Sequence, residues 1–268
     1  MPPPMAPCAR PRLIDRARLI VTEALPGALN MALDEVLLAG LGAPVLRVYR
    51  WRPACVTLGY GQSAADVDFE GCARRGVDVT RRLTGGRAVL HAADELTYAV
   101  LVPADLLAVG RNVTAAYAKL CEGLLRALEI LGITAEWSAR HAGGPRDPAC
   151  FAAAQGGDLA VGGRKLLGSA QCHRFGGILQ HGSLPLTIDE SLLADCLRRP
   201  AGAAVDWTCL SELGVTVDAA GFGAALAEGF EPLFGGRAEG EAPKDGECAA
   251  ARALAAEKYG AAGWVRRL

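Results

Sequence analysis

The sequence predicts an α+β fold: a mixed, mostly antiparallel sheet packed with helices, followed by a helical C-terminal extension. Three observations point there. Strand-like segments, many ended by glycine turns, come first, alanine-rich helical segments take over from Leu186, and the regular βαβ alternation of a doubly wound sheet is missing. With 268 residues, 51% of them hydrophobic, the chain can bury roughly 70–75% of its unfolded surface around one main core. Residues 1–13, rich in proline, read as a disordered tail, and 14–268 as a single domain whose helical part begins near 187.

Taken in order, Leu29 to Leu41 places apolar residues at 29, 33, 36, 37 and 41, an amphipathic helix with Asn30, Asp34 and Glu35 expected to face water or neighbouring loops. Val45–Trp51 and Ala54–Tyr60 read as strands separated by Arg52-Pro53, followed by strands at Val77–Leu83, Ala88–His91 and Glu95–Val102. Asn112 to Gly132 is the clearest helix. Its apolar residues recur every three or four positions, Asn112 or Thr114 can cap its start, and Gly132 can end it. Further helices are predicted at Asp189–Arg199, Ala219–Glu231 and Glu247–Tyr259, with an exposed linker from Gly235 to about Gly246.

Composition removes several classes of function. A net charge of −1 argues against a general nucleic-acid binder. No apolar run approaches the ~18 residues of a membrane span, and the start lacks the apolar stretch of a signal peptide, so a cytoplasmic location is expected. The nine cysteines show no CxxC pair and no metal-ligand spacing with histidine, so no metal site is expected and each is read first as a reduced, buried side chain.

The most informative stretch runs from Cys150 to Leu184. Asp158–Val161 and Arg164–Gln171 form a predicted hairpin through Gly162-Gly163, because glycine accepts the positive φ of a two-residue turn. The register expected from that turn sets Val161 opposite Arg164, Ala160 opposite Lys165 and Leu159 opposite Leu166. Lys165 then shares a face with Asp158, Ala160, Leu167 and Ser169, small or polar neighbours among which a substrate can approach. A third strand, Ile178–Leu184, carries His181. The second stretch, Arg81 to His91, holds adjacent glycines between two strands, a turn whose backbone N–H groups can converge on a ligand; a plain hairpin turn is the other reading. Five arginines between Arg74 and Arg87 are either an anion site or a solvated face.

Jointly, RRLTGGRAVLH at 81–91, ELTYAV at 95–100, GGRKLLGSAQ at 162–171 and LQHGSL at 179–184 resemble the lipoate-protein ligase and octanoyl/lipoyl transferase family, most closely its LipM class. NMALDE at 30–35, TLGYGQ at 57–62, the Cys150-Phe151 pair and KYGAAGW at 258–264 extend the resemblance over nearly the whole chain. Arg87, standing where ligases usually carry a third glycine, favours the LipM class. Two residues, Ala92-Ala93, intervene between His91 and Asp94, where the family has the acidic residue next to the histidine.

The resemblance implies a biotin/lipoyl-transferase type fold. It also implies an activity that moves an octanoyl group from acyl carrier protein onto a cysteine and then onto a lysine of a lipoyl domain, such as glycine-cleavage H protein or a 2-oxoacid dehydrogenase E2. No cofactor is implied. The motif carries the nucleophile onto Cys150 and its cationic partner onto Lys165, which lowers the thiol pKa and exchanges protons with leaving and attacking groups. Cys150 follows a loop rich in glycine and proline. Substrate contacts fall on Arg82, Thr84, Gly85, Gly86, Arg87, Ala88, His91, Gly168, Ser169, His181 and Gly182, with Gly85-Gly86 over the acyl carbonyl. Cys172 is the other thiol near the hairpin. Three alternatives stay open: an ATP-dependent lipoate ligase that uses Lys165 but needs no cysteine, a transferase between lipoyl domains, and a non-catalytic module that binds lipoyl domains.

Overall fold

The computed structural model describes residues 16–93, 95–138, 158–199 and 207–268. The predicted tail, Asp94 and Cys150 lie outside them. In chain order come β1 (Arg18–Leu25), α1 (Gly27–Ala39), β2 (Val45–Trp51), β3 (Cys55–Leu58), α2 (Phe69–Arg74), β4 (Asp78–Arg81), β5 (Val89–His91), β6 (Leu96–Pro103) and α3 (Val113–Ile130). They are followed by β7 (Glu136–Trp137), β8 (Leu159–Val161), β9 (Arg164–Arg174), β10 (Gly177–Leu184), α4 (Glu190–Cys196), α5 (Ala219–Gly229), α6 (Glu231–Phe234), β11 (Glu239–Gly240), α7 (Asp245–Leu254) and α8 (Ala262–Val265).

Eight strands form one sheet in the order β11-β1-β2-β6-β10-β9-β8-β7, and three form a second, β4-β3-β5. Among the described residues β1 runs parallel to β2 and β11, and β3 to β4; the other named pairs are antiparallel. One face of the large sheet packs on α3 and α5 through a core that includes Leu120, Leu124, Leu128, Phe222 and Phe230. The opposite face packs on α1 and α7 through Leu33, Leu37, Leu38 and Ala251. The small sheet closes on α2 and α4 around Val56, Leu58, Cys72 and Cys196.

Two glycines set how closely α3 and α5 approach. A Cβ on Gly229 would lie 2.5 Å from the Gly123 carbonyl oxygen, and one on Gly123 would lie 2.8 Å from the Phe230 ring. The α3 cap is the expected one: Asn112 Oδ1 accepts from the Ala115 N–H at 3.0 Å, and Gly132 at φ +78° follows the end of the helix.

Three features depart from the sequence reading. Strand β1 lacks a clean apolar alternation because most of it is only partly buried and its pairing with β2 is irregular between Val21 and Ala24. The expected linker after Gly235 contributes β11 to the sheet edge, a strand of two exposed residues that carries no apolar signal. In the hairpin, Ala160 pairs with Lys165 and Val161 with Arg164 as expected, but Leu159 pairs with Leu167 rather than Leu166. One extra residue on β9 makes a bulge, which reverses the alternation beyond it. Lys165 and Ser169 therefore do not share a face: Ser169 turns toward Tyr98, whereas the Lys165 ammonium lies against Gly168.

Gly229→Ala is expected to lower stability by about 1–3 kcal/mol, because its methyl must push two helices apart. A urea midpoint equal to that of the parent chain would refute this packing account.

Candidate functional site

Where the two sheets meet, a cavity is lined by Trp51, Thr57, Arg82, His91, Gly168 and His181, among others. Trp51 forms one wall. Its indole stacks on His91 at 3.9 Å between centroids and donates to Thr97 Oγ1 at 2.7 Å.

Arg82 organises the polar side of this cavity. Its guanidinium donates to the carbonyl oxygens of Thr57 (2.8 Å), Gly85 (2.7 Å) and Arg87 (2.7 Å), and so clamps the glycine turn onto β3. It also reaches two hydroxyls, Thr84 Oγ1 at 3.1 Å and Thr57 Oγ1 at 3.3 Å. Each hydroxyl touches a histidine: Thr84 meets His181 Nε2 at 2.7 Å, and Thr57 meets His91 Nε2 at 3.0 Å. The other nitrogen of each ring faces a carboxylate, with His181 Nδ1 3.3 Å from Asp34 and His91 Nδ1 3.1 Å from Glu95. Since an ionised carboxylate only accepts, a neutral ring keeps its proton on Nδ1, and Nε2 takes the threonine proton. Two Thr–His–carboxylate relays thus diverge from one guanidinium. Ser183 adds a hydroxyl bond to Glu95.

Behind His181, the buried Arg47 donates to Asp34 Oδ1 at 2.6 Å and to Asn30 Oδ1 at 2.7 Å, and lies 3.9 Å above the Tyr49 ring. Burial raises the Asp34 pKa, but Arg47 and His181 together outweigh it and hold the carboxyl below the usual range. Asp34 therefore points inward, contrary to expectation, because the charge of Arg47 on β2 requires a partner, whereas Asn30 bonds its surroundings, its Nδ2 donating to the carbonyls of Leu25 and Arg50. Glu35 does bond its neighbours, Lys258 at 2.5 Å and Tyr259 at 2.6 Å.

Lys165 is 1% exposed, and its ammonium stands 2.8 Å from Asp158 Oδ2, itself 7% exposed. A Cβ on Gly168 would fall 2.8 Å from Lys165 Nζ. Gly168 pairs with Ser183 and Ala170 with His181, so the ammonium lies on the sheet face that presents His181 and Ser183 to the cavity. Glycine is required there because any side chain would displace the ammonium.

The expected site residues divide into groups. Arg82, His91, Gly168, Ser169, His181 and Gly182 line the cavity, and Thr84 bridges Arg82 and His181. Gly85, Gly86 and Arg87 form the clamped turn, with Gly86 at φ +89°. Ala88 is buried in the small-sheet core and does not line the cavity, because β5 turns it toward Val56 and Leu58. Arg81 and Arg82 are not a solvated face: Arg81 is fully buried and binds the carbonyls of Gly59, Gln62 and Val265. The Arg82 guanidinium is committed to the turn itself. Cys150 lies outside the described residues, as does the acidic Asp94; the carboxylate that meets His91 is Glu95. Burial pushes the Cys172 thiol up to about 11, which leaves it a poor nucleophile.

Sequence reasoning did not assign Asp158, Thr57, Trp51, Glu95 or the Asp34–Arg47 pair to the site. For Asp158 a signal existed: it is the one carboxylate in the hairpin that carries Lys165.

A mixed sheet packed with helices, with a polar cavity beside a clamped glycine turn, is here the catalytic domain of an acyl-transferring enzyme. The chain belongs to the lipoyl protein ligase A/B catalytic domain family, whose model matches residues 26–231. It is 42% identical over 196 residues to the octanoyltransferase LipM of Exiguobacterium sibiricum, covering 69% of this chain and 71% of the relative. To the LipM of Symbiobacterium thermophilum it is 38% identical over 275 residues, covering 93% and 98%. Within the family the chain is an octanoyltransferase. In fold it is similar to lipoate-protein ligase A bound with ATP (TM-score 0.78, 25% identity, 94% of this chain and 99% of that one). It is similar also to the bipartite lipoate protein ligase of Thermoplasma acidophilum, from a study that includes its E2 lipoyl domain (TM-score 0.76, 24% identity, 94% and 96%).

Two outcomes follow from this geometry. Asp158→Ala leaves a buried ammonium without this carboxylate and should cost about 3–5 kcal/mol, whereas the double replacement Asp158→Leu, Lys165→Met should restore most of the stability but no activity; a double variant as unstable as the single one would contradict the pairing. Burial, opposed by Glu95, holds His91 below its ordinary pKa of 6.5. A depressed imidazole is protonated first in the unfolded chain, so its contribution is complete above about pH 6.5 and declines as pH falls from there toward the folded value. His91→Gln should flatten that part of a plot of urea midpoint against pH.

Proposed function

We propose that the octanoyl group passes through a thioester on Cys150, with acyl carrier protein as donor and a lysine of a lipoyl domain as acceptor, in the cytoplasm. The Cys150 sulfur attacks the donor thioester carbonyl, the carrier thiol leaves with a proton, and the bound octanoyl thioester is then opened by the acceptor amine. An amide forms and the Cys150 thiol is regenerated. Lys165 is the cation that favours the thiolate and moves protons at both stages, and Asp158 orients it. Backbone donors of the Gly85-Gly86 turn face the developing oxyanion, each a source of about 3 kcal/mol of transition-state stabilisation. Apolar wall residues such as Trp51 and Val89 take the alkyl chain, at about 0.8 kcal/mol per methylene removed from water.

The observation that carries this reading is the buried Lys165–Asp158 pair on the cavity face of a chain whose full-length relatives are octanoyltransferases. Gly168, against which the ammonium lies, is part of the cavity wall. The ligase alternative also uses a lysine, so the sulfur is what separates the two.

Intact-protein mass spectrometry after mixing with octanoyl-acyl carrier protein should show one octanoyl adduct, which Cys150→Ala abolishes. Transfer that proceeds only with ATP, with no adduct, would establish the ligase instead. Lys165→Ala should shift the pH profile of iodoacetamide alkylation at Cys150 upward by about one unit or more.

A further inference from the structure

The relays and the hairpin leave unexplained a group of arginines at the end of β9 and at the C-terminus. Arg267 lies 4.0 Å above the Tyr60 ring and 4.0 Å above Trp264, and donates to the Tyr60 carbonyl at 2.6 Å. Arg174, exposed at the end of β9, lies 4.8 Å from the same Tyr60 ring. Arg266 lies 4.0 Å above Phe69. Among the described residues no carboxylate pairs with Arg174, Arg266 or Arg267, although the chain as a whole carries a net charge of −1.

An arginine stacked on an aromatic face keeps its edge donors available and is held in place at little entropic cost. The Tyr60 hydroxyl shows the local field: the adjacent Arg267 and Arg174 guanidiniums hold it below the usual phenol range. Beside Arg174, at the β9–β10 turn, Phe175 is 56% exposed and adopts φ +53°, an uncommon backbone for a bulky residue. A fixed cationic group next to an exposed aromatic is the make-up of a protein contact surface.

The patch is tied to the site by two routes. The Tyr60 N–H donates to the Thr84 carbonyl at 2.8 Å, so Tyr60 abuts the clamped glycine turn. Arg174 lies on the same face of β9 as Ala170, which lines the cavity, and six residues beyond Gly168, where the Lys165 ammonium lies. Six residues of strand span about 20 Å. A lysine side chain, four methylenes and a nitrogen, spans roughly 6 Å and cannot bridge that gap. A thioester on a long flexible arm can.

We infer that Arg174 and Arg267, stacked on Tyr60, dock the acidic surface of the acyl-donor carrier protein, so that its arm delivers the thioester along β9 into the cavity. This rests on the thioester reading above, and the experiment separates the two. Cys150 acylation is followed by intact mass with two donors, octanoyl-acyl carrier protein and octanoyl-pantetheine, on the parent chain and on Arg174→Glu. The variant should raise the KM for the carrier-bound donor about tenfold with kcat unchanged, leave octanoyl-pantetheine unaffected, and weaken the salt dependence of the carrier reaction. Phe175→Ala should shift the same KM in the same direction. An unchanged KM for the carrier-bound donor, an equal rise for octanoyl-pantetheine, or a rise confined to the lipoyl-domain acceptor would each overturn the docking surface. No adduct on the parent chain with either donor would instead overturn the thioester reading.

Discussion

The site depends on one buried guanidinium. Arg82 binds three main-chain carbonyls from two segments and two threonine hydroxyls. A positive charge so far from water persists only because dipoles and anions surround it, and this protein supplies both. The carbonyls give the first layer. The carboxylates of Asp34 and Glu95 supply the second, each set one histidine further out. The glycine turn is thus shaped by a side chain within its own motif, which leaves its backbone donors oriented before any ligand arrives.

The second charge system, Lys165 with Asp158, stands on a different strand pair and owes its position to a defect. A regular hairpin would put Lys165 on the face of Ser169, toward Tyr98 and α3. The bulge on β9 sends the ammonium the other way, and Gly168 leaves room for it. Sheet irregularity and side-chain absence together aim a cation that ordinary pleating would have buried among apolar groups.

The strands β2, β6 and β10, the helices α1 and α3 and the turns at Gly86 and Gly162-Gly163 are legible because the strands are apolar runs, the helices recur every three or four residues, and glycine stands where φ is positive in those turns. Strand β1 is not, since its burial is shared with the short β11 from the far end of the chain. The bulge is likewise invisible: the turn Gly162-Gly163 fixes only the first two pairs, and nothing in LAVGGRKLL announces an extra residue. At the site, the two histidines, Arg82 and Lys165 stand out as rare polar residues in apolar strands. Their partners do not, because Asp34 on a helix and Thr57 on a strand have the composition of surface positions, and only tertiary packing turns them inward.

Arg81, the neighbour of Arg82, is held by the carbonyls of Trp264 and Val265, partners 183 and 184 residues away, and Thr80 by the carbonyl of Tyr259. Contacts of such long range form after local structure, since the intervening loop must be closed first. The tie between this strand and the C-terminal segment therefore closes late in folding, after the strand has paired with β3. Pairing of β4 with β3 already sets the base from which Arg82 clamps the turn, and the C-terminal contacts to Thr80 and Arg81 then tie the last helices of the chain to that strand.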